Sequence, residues 1–529
     1  MSCEVFERPS NVHELLAILA EKDGEIARLT EEAERQQARL QALQEQINLL
    51  LAKRFGRSSE KLPADQLGLF NEAEATAPRE PAPETAVPVS AHRRTRPGRK
   101  PLPEALPRIE VVHELPAEER ICVHDGEGLV EIGEEISEQL DIVPAQVRVI
   151  RHVRKKYACP HCQVGVKIAP LPPQPLPKTM ASPGLLAHVA VAKYQDALPL
   201  HRQEHILKRI GIDLPRATLA AWMIKLGIWI QPLINLLQDV LLGYDIVQMD
   251  ETTVQVLKGS GKAPDSPCYL WVRRGGPPHQ PVILFDYDPS RSQAVPLRLL
   301  DGYRGYLQVD GYDGYHAVGL RSDIVLVGCM AHARRKFDEA VKAQGTHPSN
   351  PGKTGKAVEG LHAIQALYRI ERECKDVSAK ERYTVRQQKA KPLLDTLRVW
   401  LDTALPTVPS QTMIGKALTY LHNQWPKLLR YLDDGRLSID NNPVENAIRP
   451  FVIGRRNWLF SDTARGAKSS ANLYSLIETA KANGLEPYAY LRHLFTELPK
   501  AQSLEQIEAL LPFDVKTQPL RPPSPTGWG

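Results

Sequence analysis

The segment Ile246-Val-Gln-Met-Asp250-Glu-Thr-Thr-Val-Gln-Val256 decides the fold of the central part of the chain. Its β-branched residues and its alternation of apolar with polar positions predict a long strand. Four more strand-like runs and one short helix follow it. The runs are Tyr269 to Arg273, Val282 to Phe285, Gly305 to Val309 and Ile324 to Val327, with the helix near Ala294 to Leu300. Strands combined with helices in this way predict an α/β domain.

Three strands, a helix and two more strands are the element order of a ribonuclease-H-like core. In that fold the first and fourth strands are neighbours, and here each carries an acid. Asp250 lies within the first strand, and Asp310 ends the fourth, in Gln308-Val-Asp310-Gly-Tyr312. The order therefore predicts that the two carboxylates meet at one edge of the sheet, where a metal ion could bind. Acids at strand ends are also common as cap residues, so neither acid alone carries this interpretation.

The third acid is Glu445, in Asn442-Pro443-Val-Glu445. Asn442 is placed as a helix cap and Pro443 as the first helical residue, so Glu445 falls in the first turn of a helix. A capping box is one interpretation of this glutamate, and a metal ligand is the other. Arg449, one turn further on, could pair with Glu445 or with a phosphate.

Length and composition fit a soluble multidomain protein. The chain has 529 residues, 67 Lys and Arg against 62 Asp and Glu, and a formal net charge of +5. A hydrophobic share of 42% and a charged share of 24% exclude wholesale disorder and a collagen-like chain. Seven cysteines argue against a disulfide scaffold. A signal-peptide pattern is absent and polar residues interrupt the most apolar stretch, Ala217 to Tyr244, so we expect a cytoplasmic protein with no membrane contact.

Near the N-terminus, apolar residues recur with a spacing of seven over four heptads. The two series are Ile26, Ala33, Leu40 and Ile47, and Leu29, Gln36, Leu43 and Leu50. This is the pattern of a coiled-coil seam, weakened by Ala33 and Gln36. Self-association is the preferred interpretation, because no second apolar helix lies nearby in the sequence. The alternative is an amphipathic helix packed on its own domain.

A linker rich in Pro and Ala follows, and it contains a basic run at 93–100. The cations are Arg93, Arg94, Arg96, Arg99 and Lys100. Arginines held on an extended Pro- and Gly-containing backbone resemble hooks that enter the minor groove of DNA. A solvated linker is the alternative. This run alone carries a charge of +5, so the rest of the chain sums to zero.

Two pairs of soft ligands predict a structural zinc site. The pairs are Cys122 with His124, and Cys159 with Cys162. A Cys-x-x-Cys pair combined with a second pair is the usual form of a closed tetrahedral site. The Cys-x-His pair is less usual, and Asp125 or His161 could substitute. Unrelated free thiols with no metal are the remaining alternative.

Between these pairs, the alternation of Val147, Val149 and Val153 with polar residues predicts a β-hairpin. Basic residues in this module are further candidates for DNA contact: Arg151, Arg154, Lys155 and Lys156. After it, a helix at His201 to Ile210, a stop at Gly211 and a second helix at Pro215 to Leu226 give a helix-turn-helix outline. This outline is also common in all-helical domains that do not read DNA.

Composition divides the whole chain into predicted regions. These are a coiled-coil helix at 10–60, a linker at 61–107, a zinc-finger-like module at 108–170, a helix-turn-helix-like domain at 178–240, a catalytic core at 241–465 with a helical insertion at about 340–437, a C-terminal helical region at 466–512 and a Pro-rich tail at 513–529.

Several long motifs, in order along nearly the whole chain, resemble the insertion sequence 66 family of bacterial transposases, in particular its large TnpC-type subunit. The motifs are Phe55-Gly-Arg-Ser-Ser-Glu60-Lys61, Ser137-Glu-Gln-Leu-Asp-Ile-Val-Pro144, Arg151-His-Val-Arg-Lys-Lys-Tyr-Ala-Cys159, Asp310-Gly-Tyr312, Cys329-Met-Ala-His332-Ala-Arg-Arg-Lys-Phe337, Glu445-Asn-Ala-Ile-Arg-Pro-Phe-Val-Ile-Gly-Arg-Arg-Asn-Trp458 and Leu473-Tyr-Ser-Leu-Ile-Glu-Thr-Ala-Lys-Ala-Asn-Gly484. Many relatives have Cys-x-x-Cys where this chain has Cys122-x-His124, which weakens that corner of the zinc site.

The resemblance implies an Asp-Asp-Glu transposase in which Asp250, Asp310 and Glu445 hold two Mg²⁺ or Mn²⁺ ions. It implies cleavage of element ends at terminal inverted repeats and their transfer to target DNA, a bacterial, nucleoid-associated location and two small accessory proteins. Additional DNA-backbone candidates are His332, Arg334, Arg335, Arg449, Arg455, Arg456 and Lys468. A non-catalytic zinc-dependent DNA-binding regulator and a structure-specific nuclease on the same fold are the rival interpretations.

Overall fold

The computed structural model describes residues 12–55, 147–158, 166–259, 263–343 and 355–515 of the chain. These residues are divided between two compact units. The smaller lies between residues 57 and 171, and the larger combines residues 1–56 with residues 172–529. Each unit is described separately below.

A mixed sheet forms the centre of the larger unit, and its strand order is β5-β4-β3-β6-β7. β3, β4 and β5 are antiparallel, whereas β6 and β7 run parallel to β3, and a short β8 pairs with the far end of β3. The strands are β3 (Ile246–Lys258), β4 (Pro267–Gly275), β5 (Val282–Asp288), β6 (Gly305–Gln308), β7 (Ile324–Val327) and β8 (Ser461–Thr463). The five strands predicted from 246 to 327 are confirmed, and so is the short helix α6 (Ala294–Leu299) between β5 and β6.

Helices cover the sheet and close its outer edge. They are α2 (Pro183–Tyr194), α3 (Leu200–Arg209), α4 (Arg216–Trp229), α5 (Gln231–Leu242), α7 (His316–Gly319), α13 (Asn442–Trp458), α14 (Ala464–Ala482), α15 (Pro487–Glu497) and α16 (Leu504–Glu508). On the edge strand β5, the backbone N–H of Phe285 donates to Ser475 and that of Ile283 donates to Thr479, both on α14. These bonds occupy polar groups that an open sheet edge would leave free for other chains.

The predicted helix, glycine stop and second helix are present as α3, Gly211 and α4. Gly211 has φ of +82°, a left-handed conformation that glycine adopts without steric cost. Among the described residues no single helix is long and apolar enough to cross a membrane, although α4 and α5, bent by 47°, pass that test as a pair. Their apolar residues lie in the core; Leu219, Leu226 and Leu233, for example, are fully buried.

A second apolar core lies within the segment that follows β7. Its helices are α8 (Met330–Ala343), α9 (Lys356–Glu373), α10 (Ala379–Val385), α11 (Lys391–Ala404) and α12 (Met413–Leu429), with a π-turn at Arg386–Ala390. The guanidinium of Arg386 is buried there, pairs with Glu371 at 2.7 Å and donates to the carbonyls of Tyr431 and Leu437. One buried cation therefore joins three separate parts of this helical segment.

The long helix α1 (Val12–Phe55) uses its last turns to contact this segment. Glu45 is buried and accepts the backbone N–H of Met413 at 2.7 Å, and Asn48 donates to the carbonyl of Ala343. The expectation that α1 has no partner within the chain is therefore wrong for these turns. The seam residues stay about half exposed or more: Ile26, Leu29, Leu40, Leu43, Ile47 and Leu50.

The smaller unit contains a two-stranded antiparallel hairpin, β1 (Lys156–Ala158) and β2 (Val166–Ile168). Arg154 donates to the carbonyl of Ala169 beside it. The hairpin expected from the valine alternation is wrong in position, because residues 147–155 form no strand. Alternation on an exposed segment carries no burial to fix a register. Cys159 and Cys162 fall in the residues that connect β1 to β2, and these, like Cys122 and His124, lie outside the described residues.

Replacing Arg386 by alanine should destabilise the protein by about 3–5 kcal/mol, because it leaves the Glu371 carboxylate and three backbone carbonyls without their buried partner. The measurement is the urea midpoint of unfolding followed by circular dichroism. Lys391→Ala removes an exposed pair with Asp395 and serves as the matched control, with an effect of at most about 1 kcal/mol. Equal effects of the two substitutions would contradict the role given to Arg386.

Candidate functional site

The parallel pairing of β3 with β6 brings two acids to the same edge of the sheet. Gln248 is paired with Gln308 in the register, and their side chains are hydrogen-bonded at 2.8 Å. Asp250 and Asp310 each lie two residues further along their strands. Side chains two residues apart point to the same face, and neighbouring strands are about 4.8 Å apart. The strand β6 ends at Gln308, one residue before the predicted end at Val309, so Asp310 lies just beyond the strand and not at its last position.

A buried turn at residues 438–441 delivers the third acid. Gln308 donates to the carbonyl of Ser438 at 2.8 Å, and Asn441 donates to the carbonyl of Met249 at 3.0 Å. The helix α13 begins directly after this turn, with Glu445 in its first turn. The turn is thus tied to both acid-bearing strands, and it directs α13 toward them.

The capping-box interpretation of Glu445 is wrong. The N-cap is Asn441, one residue earlier than expected, and no side chain caps the helix start. The Oε1 atom of Glu445 is shielded from solvent and has no hydrogen-bond partner in the described part of the chain. A carboxylate oxygen in that condition is costly for folding, so a role other than capping is required to account for it.

The surroundings of Asp250 disfavour the negative charge of its carboxylate. Burial, followed by the charges of Glu251, Asp310 and Glu445, raises the pKa of Asp250 to about 8, and the backbone N–H of Glu251 opposes this rise. All three neighbouring acids therefore lie close enough to Asp250 to disfavour its negative charge.

Glu251, the neighbour of Asp250, has partners of its own and was not identified from the sequence. Its carboxylate pairs with Arg291 at 2.6 Å and accepts the hydroxyl of Tyr315 at 2.7 Å. The Arg291 guanidinium lies 3.8 Å from the centre of the Tyr312 ring. Since both oxygens of Glu251 are engaged, Asp250 is the acid of this strand that remains available to a ligand.

Two predicted DNA contacts lie beside the acids. The Nδ1 atom of His332 and a guanidinium nitrogen of Arg335 are each 3.8 Å from Glu445 carboxylate oxygens. Burial lowers the pKa of His332 despite the nearby acids. Among the described residues these two, and not Arg449, are the ion-pair partners of Glu445 within 4 Å.

The other DNA candidates are distributed more widely. Arg334, Arg456 and Lys468 are exposed on the larger unit, and Arg449 is half-buried. Arg151, Arg154, Lys155 and Lys156 are exposed on the smaller unit. Arg93, Arg94, Arg96, Arg99 and Lys100 lie outside the described residues.

Arg455 differs from these, because it donates to the carbonyl and hydroxyl of Thr253 on β3. It holds α13 to the strand of Asp250, a structural role that its place in a basic motif did not reveal.

Comparison with protein families identifies the chain. Residues 178–469 match the family described as "Transposase IS66 family". The chain belongs to the IS66 transposase family. This transposase also matches the IS66 C-terminal element at 475–513, the zinc-finger binding domain of transposase IS66 at 119–163 and "Transposase C of IS166 homeodomain" at 42–111. The resemblance carried by the sequence motifs is confirmed.

Relatives of this IS66 transposase occur in Sinorhizobium fredii. The uncharacterized protein y4jD is 35% identical over 427 residues, which cover 78% of this chain and 81% of y4jD. The uncharacterized protein y4qI is also 35% identical, over 80% of this chain and 79% of its own. No solved structure matches the chain. The zinc-finger match contains all four predicted zinc ligands and supports Zn²⁺ as a cofactor, and DNA as a partner follows from the matched domains.

Metal-free protein should lose stability as the pH rises from about 4 to about 8. The unfolded chain releases the Asp250 proton near its ordinary pKa of 3.8, whereas the folded protein retains it to about 8. The folded state therefore binds more protons over this interval, so its free energy of unfolding falls with pH. Tm measured against pH in chelator should fall less steeply for Asp250→Asn.

Asp301→Asn is the matched control, because Asp301 is exposed on a loop of the same unit. Its Tm should follow that of the wild type at every pH. A slope that is unchanged in Asp250→Asn would refute the burial of charge at this site.

Proposed function

We propose that this transposase cleaves the 3′ ends of its element and transfers them to target DNA, with Asp250, Asp310 and Glu445 as the catalytic carboxylates of a ribonuclease-H-like core. The observation that carries the proposal is the register of β3 on β6, because it brings Asp250 beside Asp310. The element order of the sheet and the family of the chain support the same function.

The three carboxylates suit hard divalent cations such as Mg²⁺ or Mn²⁺, which prefer oxygen ligands. One feature of the site fits such ions: burial, followed by the negative charges of the neighbouring acids, raises the pKa of Asp250, and a bound cation would stabilise its carboxylate form. When bound, two such ions activate the nucleophile and stabilise the leaving 3′ oxygen of an in-line phosphoryl displacement.

The chain itself holds the carboxylates in place. One oxygen of Asp250 accepts the backbone N–H of Glu251 at 2.8 Å, and one oxygen of Asp310 accepts that of Tyr312 at 2.9 Å. Each carboxylate therefore has a fixed orientation and keeps its second oxygen for a ligand. Preorganisation of this kind lowers the cost of aligning the reacting groups.

Two successive displacements account for the reaction. Water attacks the phosphorus at the element end and releases a 3′-hydroxyl; that hydroxyl then attacks a target phosphodiester and releases a target 3′-hydroxyl. The second step conserves the number of phosphodiester bonds, so no nucleotide triphosphate is required, and the sequence has no Gly-x-x-x-x-Gly-Lys-Ser/Thr motif. Arg335, more than half exposed beside Glu445, is placed to contact the phosphate backbone.

Asp310→Asn should reduce strand transfer by at least about a hundredfold, because a direct metal ligand is lost and even outer-shell partners cost 10–100-fold. The assay combines purified protein, labelled element ends, a target plasmid and Mg²⁺. Asp313→Asn, three residues away and exposed, is the matched control and should join ends at the wild-type rate. Equal joining by the wild type and by Asp310→Asn would refute the assignment of Asp310 to the active site.

The same assay separates the two rival functions. A structure-specific nuclease would cut the labelled ends without joining them, and a non-catalytic regulator would bind them without cutting. We also propose that the two small accessory proteins of the family act with this chain; comparing the assay with and without added accessory proteins tests whether the chain needs them.

We propose further that the chain self-associates through the seam of α1. Leu40 and Leu50 are 63% and 66% exposed, although the same helix is anchored by Glu45. Leu43 and Glu45 are two residues apart, about 200° around the helix, so the seam and the anchored face lie on nearly opposite sides. Anchoring within the chain and pairing between chains are therefore compatible.

Leu40→Asp combined with Leu43→Asp should shift the full-length protein to a monomer, because charges in an apolar seam oppose its burial. The measurement is sedimentation at micromolar concentration. Gln41→Asp with Gln44→Asp, on exposed positions outside the seam, is the matched control and should leave the assembly intact. A wild-type protein that sediments as a monomer would disprove the proposal.

A further inference from the structure

A second set of ligand-type side chains lies beside the carboxylates and contains a thiol and an imidazole. The Sγ of Cys329, a ring nitrogen of His332 and a carboxylate oxygen of Glu445 all lie within 4.8 Å of one another. Cys329 follows β7 and His332 lies in the first turn of α8, whereas Glu445 comes from α13. Two segments distant in sequence, residues 329–332 and the first turn of α13, thus converge on one point.

We propose that Cys329, His332 and Glu445 bind one divalent transition-metal ion of the zinc and cobalt class. Sulfur, nitrogen and oxygen donors select borderline-soft ions, in contrast to the all-oxygen set of Asp250, Asp310 and Glu445, which suits Mg²⁺. Three protein ligands leave a fourth tetrahedral position open to water. The inference goes beyond strand transfer and does not require it.

Burial raises the pKa of the Cys329 thiol to about 12, and two backbone donors act in the opposite direction. Cys329 is 1% exposed, and its sulfur accepts the backbone N–H of Asn441 at 3.2 Å and that of His332. Backbone donors of this kind stabilise negative charge on a metal-bound sulfur. Binding exchanges the S–H bond for a bond from sulfur to the metal and releases one proton to solvent, as is general for metal-bound thiols.

The other two ligand atoms lack partners among the described residues. The Nδ1 of His332 and the Oε1 of Glu445 are each shielded from solvent, are 3.8 Å apart and make no hydrogen bond. Buried polar atoms are almost always paired, so two orphaned atoms that face each other need an explanation. A single cation between them would satisfy both.

Other charges near this cluster are compatible with an added cation. Arg335 contacts the second oxygen of Glu445, so Oε1 remains available. The negative charge of Asp310 raises the pKa of His332, and the positive charges of Arg335 and Lys336 lower it. Because Glu445 belongs to both sets, an ion held by Cys329 and His332 would also fix the position of Glu445 relative to α8.

Cobalt absorption tests the proposal without DNA. The full-length chain carries Cys122→Ser, Cys159→Ser and Cys162→Ser, which remove the thiols of the predicted zinc finger, and is stripped of metal and titrated with Co²⁺. We expect a sulfur-to-cobalt charge-transfer band that saturates at one Co²⁺ per chain. Adding Cys329→Ser should abolish the band, and adding His332→Ala should weaken Co²⁺ binding at least tenfold.

Two matched controls exclude indirect effects. Cys374→Ser removes another buried thiol, in the second core, and should leave the band unchanged. Asp250→Asn removes a neighbouring acid outside the cluster and should also retain it. Circular dichroism of each variant checks folding, and the partly exposed His332 provides a readout if Cys329→Ser fails to fold.

A band that is missing, or that survives Cys329→Ser in folded protein, would overturn the metal site. The strand-transfer assay keeps the two proposals apart. Loss of joining in Asp310→Asn without a cobalt band would leave the function and remove the site. A cobalt band together with normal joining by Asp310→Asn would support the metal site and refute the proposed catalytic role of Asp310.

Discussion

The hydrogen bond between the buried side chains of Gln248 and Gln308 is the interaction on which the site depends. It fixes the register of β3 on β6, and the next residues on the same face are the two aspartates. The same two amides reach the carbonyls of Asp440 and Ser438, so they also hold the turn that starts α13. Buried amides without partners are costly, so this network tolerates only one arrangement of the three elements.

The buried hydrogen-bond network around Gln248 and Gln308 explains how the protein tolerates acids that repel one another. Burial and like charges favour protonation of Asp250, which opposes folding at neutral pH, and the unpaired oxygen of Glu445 adds to that cost. Stability elsewhere compensates: Glu251 is neutralised by Arg291, and a large apolar core backs the sheet. Strain of this kind concentrates at functional sites because the surrounding structure determines it.

Sequence reasoning predicted the five strands and the proximity of Asp250 to Asp310, because strand periodicity is local and the two aspartates lie at corresponding positions of neighbouring strands. It failed where two segments distant in sequence are joined by chemical groups, such as backbone carbonyls, that leave no recognisable pattern in the sequence. The tether from Asn441 to Met249 involves a backbone carbonyl, and the contact of Glu45 with Met413 spans 368 positions. Charge alone also did not reveal that Arg455, in a basic motif, donates a hydrogen bond to Thr253 on β3.

Helix α1, which carries the coiled-coil seam, also contacts α8 and α12. Asn48 bonds to the last residue of α8, and Glu45 to the first residue of α12. α8 begins one residue after Cys329, and the carbonyl of Lys427 in α12 accepts the N–H of Gly328. Helices transmit position along their axes because their packing is dense and resists deformation. The proposed self-association through the seam would therefore place a second chain on a helix that contacts both α8 and α12.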